Sequence, residues 1–161
     1  LNHGFVEPIY DYKLLINERL ENGFQFQVDT KPYSHDLFIN WRRAIHLGDN
    51  FKEEFDIGYS SKLHLLQKKR IDIALPVQLL YSHKGGQIDS ANTPLQSLTN
   101  IALGASINFK FDQRLVKRIL LENYYVNYQD VSGQKRKPFN EGNGYLATLL
   151  FDFKGVGFGL L

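Results

Sequence analysis

Hydrophobic and polar residues alternate along this chain with a period of two, the pattern of a β-strand with one oily and one wet face. Over residues 51–65, Phe51, Phe55, Ile57, Tyr59, Leu63 and Leu65 fall on one face, and Lys52, Glu54, Asp56, Ser60, Lys62 and His64 on the other. Residues 70–82 set Ile71, Ile73, Leu75, Val77, Leu79 and Tyr81 against Arg70, Asp72, Gln78 and Ser82. Residues 97–111 set Ile101, Leu103, Ala105, Ile107, Phe109 and Phe111 against Asn100, Ser106, Asn108 and Lys110. All three outrun an ordinary strand of about 5–6 residues.

Residues 22–30 and 143–154 carry the same alternation, and weaker strands are expected at 8–17, 36–43 and 117–129, where Asn123, Asn127 and Gln129 are assigned to the polar face. A last strand opens at Gly155. The connections at 67–69, 112–116 and 154–155 are short, whereas 44–50, 83–95 and 130–142 are longer and rich in Gly, Ser, Asn, Asp and Pro. The fold class that follows is all-β, an antiparallel meander of about 8–9 long strands.

Alternation alone leaves open which face is inside. Strands of about 9–11 tilted residues cross a bilayer, and rings gather at its two boundaries. Here Phe51, Phe55, Tyr81, Tyr128 and Tyr145 lie toward the long-loop end, and Phe109, Phe111, Phe151 and Phe153 toward the short-turn end. Aliphatic residues such as Ile57, Leu75, Val77 and Leu103 stand between. This predicts a transmembrane β-barrel, or part of one, with its apolar face toward lipid and its long loops toward the cell exterior. The lipid bilayer is then the chief partner. The alternative is a soluble antiparallel sandwich or lipocalin-like barrel that turns the apolar face inward to bind an apolar ligand or a carbohydrate. Pro76, in mid-strand, demands either a local irregularity or an edge.

From Phe51 to Phe153 the chain resembles uncharacterised outer-membrane β-barrel proteins of Gram-negative bacteria. The likeness rests on the long alternating strands, the His83-Lys84-Gly85-Gly86 loop entrance and the Asn143-Gly144-Tyr145 strand opening. It implies the bacterial outer membrane as location and is compatible with association with other outer-membrane proteins. Such proteins usually end in an aromatic residue, whereas this sequence ends Gly159-Leu160-Leu161. With no secretory leader at its start, the chain is expected to be a processed or internal portion of a larger barrel, or else a small eight-stranded one.

Composition narrows the picture further. At 161 residues the chain is expected to form a single unit over 1–161, incomplete at one or both ends, and a net charge of +2 with interspersed signs gives no stripe for nucleic acid. Cysteine is absent, which removes disulfides and thiolate chemistry. No segment has the ~18 consecutive apolar residues of a membrane helix.

The lumen-side charges Lys52, Glu54, Asp56, Lys62, Arg70 and Asp72 are the candidate functional group, either setting a field in a pore or pairing as interior filler. His3, His35, His46, His64 and His83 are far apart and lack metal-ligand spacing. Ser60, Ser61, His64 and Asn100 are the residues from which a hydrolase site would be assembled, but such residues are common, and no catalytic set is assigned. Trp41, beside Arg42 and Arg43, is expected to anchor at a boundary or to form a cation–π cluster. The run Gln134-Lys135-Arg136-Lys137 offers charge to lipopolysaccharide. Gly85-Gly86 lacks the partners of a phosphate loop. No cofactor or metal is expected, and the function expected is a structural or passive-transport, porin-like role without catalysis.

Overall fold

The computed structural model describes residues 3–10, 21–86, 88–112, 115–154 and 156–160, with the side chains of 156–158 not described. Eight strands follow in chain order: β1 (Gly23–Asp29), β2 (Tyr33–Arg43), β3 (Glu53–Gln67), β4 (Ile71–Gly85), β5 (Gln96–Lys110), β6 (Val116–Asp130), β7 (Glu141–Phe153) and β8 (Val156–Leu160). Each pairs antiparallel with the next, in one sheet ordered β1 to β8. The all-β meander read from the alternation is therefore the fold. Of the weak strand at 8–17, residues 11–17 lie outside the described residues, and Pro8, Ile9 and Tyr10 are in turn and bend geometry.

Of the expected barrel, or part of one, the described residues form an open sheet, in which β1 and β8 do not pair. These are also the shortest strands, with 7 and 5 residues, so each edge offers few ladder groups to the other. The sheet nevertheless curls strongly. Phe5, Ile9 and Tyr10 from the segment before β1 share one buried cluster with Phe38 of β2, Leu80 of β4, Ala102 of β5 and Tyr124 of β6. With strands about 4.8 Å apart, one short segment reaches so many of them only if the sheet wraps around it. The ion pair between Lys62 of β3 and Glu122 of β6, at 4.0 Å, spans the same concavity.

Close approach at the centre depends on two glycines. A Cβ at Gly58 would lie 2.1 Å from the Phe38 ring, and one at Gly104 would lie 2.6 Å from the Tyr124 ring. Pro76 is fully buried in a central strand. The ladder between β4 and β5 is interrupted between Ala74 and Val77 and resumes in the same register, which accommodates the missing donor.

The register fixes the two faces. On the convex face lie Leu37, Ile39, Ile57, Leu63, Leu75, Val77, Leu103 and Leu121, many well exposed. On the concave face lie Asn40, Asp56, Gln78 and Ser106, all buried. The convex face is therefore largely oily, while the concave face mixes buried polar residues with the apolar cluster around Phe38, Leu80 and Tyr124, unlike the apolar interior of a soluble barrel. Two placements differ from the alternation. Tyr128 pairs with Asn100 and Gly142 and faces inward, while Asn123, Asn127 and Gln129 pair with Ala105, Ile101 and Thr99 and face outward. The start of β6, Val116 to Leu121, is largely apolar on both faces, so its phase is legible only from its partners.

Candidate functional site

Two neighbourhoods bring serine and histidine together. The first is interior. His3, whose side chain is fully buried, has Nδ1 2.8 Å from Asp36 Oδ2 and Nε2 2.9 Å from Glu21 Oε2. Its ring stacks on Phe38 at 3.8 Å between centroids. Gln25 Nε2 donates to both Asp36 oxygens at 3.0 and 2.9 Å, and Gln27 Nε2 donates to Oδ2 at 3.1 Å. From β4, Gln78 donates to the Gly4 carbonyl at 2.7 Å and accepts from the Val6 amide at 2.9 Å. Ser60 Oγ stands beside Gly4, 3.4 Å from where a Cβ would be. All of these except Glu21 and Phe38 line a cavity of about 1070 Å³ on the concave side. Both nitrogens of His3 are already engaged, which makes it a clamp on the segment rather than a free base.

The lumen charges expected from the alternation are mostly paired. Glu54 lies between Lys84 at 2.7 Å and Arg43 at 3.7 Å; Asp56, buried, lies 3.8 Å from Arg42. Asp72 holds His64 Nδ1 at 2.7 Å. Arg70 stands in the exposed turn after β3, with its guanidinium 3.5 Å from Asp112. Lys52, just before β3, reaches Asp89 at 2.8 Å in the loop after β4. That bond, with Ser90 donating to the carbonyls of Gly48 and Asp49, ties the loop after β2 to the loop after β4. The Lys52 ammonium holds the Asp89 carboxyl below the usual carboxylate range. Trp41 donates to Glu53 at 2.8 Å, and Arg43, rather than pairing with Trp41, stacks over Phe51.

The aromatics expected as a girdle divide by strand. Phe55, Tyr81, Phe109, Tyr145, Phe151 and Phe153 occupy convex positions in β3 to β7. Phe51 and Phe111 lie just outside β3 and β5.

The second neighbourhood is on the convex face, at the long-loop end of β4 and β5. Register places His83 opposite Ser97, and the imidazole Nδ1 is 2.9 Å from Ser97 Oγ. Tyr81, two residues along the same face, donates its hydroxyl to Ser97 Oγ at 3.1 Å. Phe55 walls the histidine from β3, 5.1 Å away between ring centroids. A Cβ at Gly85 would lie 2.5 Å from His83 Nε2, so that glycine makes room for the ring. The loop after β6 secures the serine from above: Ser97 donates its amide to Ser132 Oγ at 2.9 Å, and the Val131 amide donates to the Ser97 carbonyl at 2.9 Å. Asp130 Oδ1 in turn accepts from the Ser132 amide at 3.0 Å.

The hydrolase residues considered from the sequence are not brought together. Ser60 and Ser61 point to opposite faces, His64 is bound to Asp72, and Asn100 stands inward opposite Leu80. In the sequence Ser97 stands out by no motif, and His83, at a loop entrance, is one of five scattered histidines. The available signal was their shared convex phase at the two ends of one hairpin loop.

A hydroxyl bonded to an imidazole is a pair that can activate the oxygen for acyl transfer, and here it stands on the outward, oily side of the sheet. The chain belongs to a family of that chemistry: residues 1–160 match the Lipid A 3'-O-deacylase-type family, enzymes that remove an acyl chain from lipid A. No curated protein and no solved structure matches.

This membership corrects three expectations. The likeness to uncharacterised barrels gives way to a defined family, the passive-transport role to a hydrolytic one, and the absence of catalysis to an enzyme family. The alternation could not reveal this, because a porin wall and an esterase wall share one binary pattern. The family's substrate is lipid A, the membrane anchor of lipopolysaccharide, and the family implies association with the outer membrane of Gram-negative bacteria.

Proposed function

We propose that this chain is a lipid A esterase of the outer membrane, with Ser97 as nucleophile and His83 as general base. The Ser97 Oγ to His83 Nδ1 contact of 2.9 Å on the convex, long-loop rim carries this reading. An ester at the boundary between sugar and acyl chains in a bilayer can be approached only from outside the sheet. The rim of the apolar face is where a protein embedded by its aliphatic rows would meet that boundary.

In the reaction, Ser97 Oγ attacks the ester carbonyl carbon while its proton passes to His83 Nδ1. The Tyr81 hydroxyl, which donates toward the attacking oxygen, is the nearest donor for charge developing at the carbonyl. Collapse breaks the bond to the sugar oxygen, which leaves as an alcohol with the proton from His83. Water, deprotonated by His83, then cleaves the acyl-serine and releases the fatty acid. Among the described residues no carboxylate is bonded to His83. The ring is oriented instead by Phe55 and Tyr81.

The test uses detergent-solubilised protein incubated with lipid A, with mass-spectrometric detection of the released fatty acid. Release that disappears in Ser97→Ala while the folded, heat-modifiable form persists is the expected result. Release unchanged in that variant would remove Ser97 as nucleophile.

A further inference from the structure

On the rows of the convex face that carry Leu79 and Ile101 on β4 and β5, β6 and β7 present Asn127 and Asn143. On the next row inward Tyr125 faces Tyr145, and on the row outward Gln129 pairs with Thr99. The border of the apolar face thus runs obliquely, ending lower on β6 and β7 than on β3 and β4, as inclined strands in a membrane wall require. Tyr125 is 38% and Tyr145 86% exposed, and their ring centroids are 5.3 Å apart. Exposed phenol rings beside side-chain amides suit a saccharide: ring faces pack against sugar C–H groups, and amides exchange hydrogen bonds with hydroxyl and N-acyl groups.

We infer that Tyr125, Tyr145, Asn127, Asn143 and Gln129 form the platform that receives the acylated glucosamine headgroup of the substrate and fixes which ester reaches Ser97. The inference rests on the esterase reading above and extends it to recognition. Thr99 lies two residues beyond Ser97 on the same strand and pairs with Gln129. Strand rise and spacing then put Gln129 about 8 Å, Asn127 about 14 Å and Tyr125 about 21 Å from the serine, a span on the scale of a phosphorylated disaccharide with its acyl attachments. Lys135, Arg136 and Lys137 stand in the loop joining these strands, which supplies positive charge for headgroup phosphates. By contrast, the neighbouring rows of β3 and β4 offer Ile57, Tyr59 and Leu79, a surface for acyl chains.

The experiment measures binding without turnover, in a Ser97→Ala background, by titrating detergent-solubilised protein with lipid A and separately with phosphatidylglycerol of matched acyl length. Asn127→Ala with Asn143→Ala should weaken lipid A binding at least tenfold and leave phosphatidylglycerol binding within twofold. Tyr145→Ala, at a highly exposed position, should weaken lipid A binding about fivefold, with Tyr145→Phe restoring it. Unchanged lipid A affinity in both variants, or equal loss for both lipids, would overturn the platform. If the asparagine pair fails to fold, Tyr145→Ala alone decides. Because binding is read apart from hydrolysis, failure here leaves the Ser97 assignment standing, and turnover surviving in Ser97→Ala overturns that assignment without touching this one.

Discussion

Two serine–histidine neighbourhoods lie on opposite sides of one sheet, and they are built for different work. Inside the curl, His3 is sealed, engaged by carboxylates at both nitrogens, with Ser60 beside its segment. On the outer rim, His83 is half-buried and bonds directly to the Ser97 hydroxyl. Both nitrogens of the inner histidine are occupied by carboxylate contacts, and its fully buried side chain is closed to a lipid. What separates a clamp from a candidate base here is which face of the pleat carries it.

Breaking that comparison most severely, Ser97→Ala should lower lipid A deacylation by about 10³-fold or more, since nothing else replaces the nucleophile. His83→Ala should cost about 10²–10³-fold in kcat with a smaller change in KM, because it removes a proton acceptor used in the transition state. On the inner side the effect should be on folding. Gln78→Ala removes the side-chain acceptor of the half-buried Val6 amide and one donor to the Gly4 carbonyl, a loss of about 1–3 kcal/mol. Urea unfolding in detergent should show a loss of about 1–3 kcal/mol, while the surviving folded fraction hydrolyses lipid A at the wild-type rate.

A subtler test concerns the loops that frame the rim. The Asp89 carboxyl is held below its ordinary value by the hydrogen bond from Lys52. A depressed folded value means that this loop anchor is intact above the unfolded carboxylate range and is lost as pH falls through the folded value. Protease clipping of the loop between β4 and β5 should therefore stay slow at neutral pH and accelerate in acid, and in Asp89→Asn it should be fast throughout. The smallest effect sharpens the comparison from the other side: Ser60→Ala should leave deacylation within twofold, and a large loss there would move the chemistry into the cavity.

Strand positions were legible to within a few residues because long stretches repeat with one period. The oily and wet faces of β3, β4, β5 and β7 were legible for the same reason. The phase of β6 was not. Val116, Ile119, Leu120 and Leu121 crowd both faces, and alternation read from such a start assigns Asn123, Asn127 and Gln129 inward. Only their partners Ala105, Ile101 and Thr99 show that they face out. The site was illegible for a related reason. His83 and Ser97 are separated by 13 intervening residues, and their contact depends on how the hairpin between them is registered, which composition does not state.

The sequence by itself determined the all-β meander, the long strands and the two-faced pattern, because side chains alternate across a strand regardless of what packs against it. Tertiary structure decided which segment fills the curl, which histidine is clamped by carboxylates, and which serine meets an imidazole. Those outcomes depend on register between strands and on a short segment folding back over several of them, and neither is encoded in the period of any one strand.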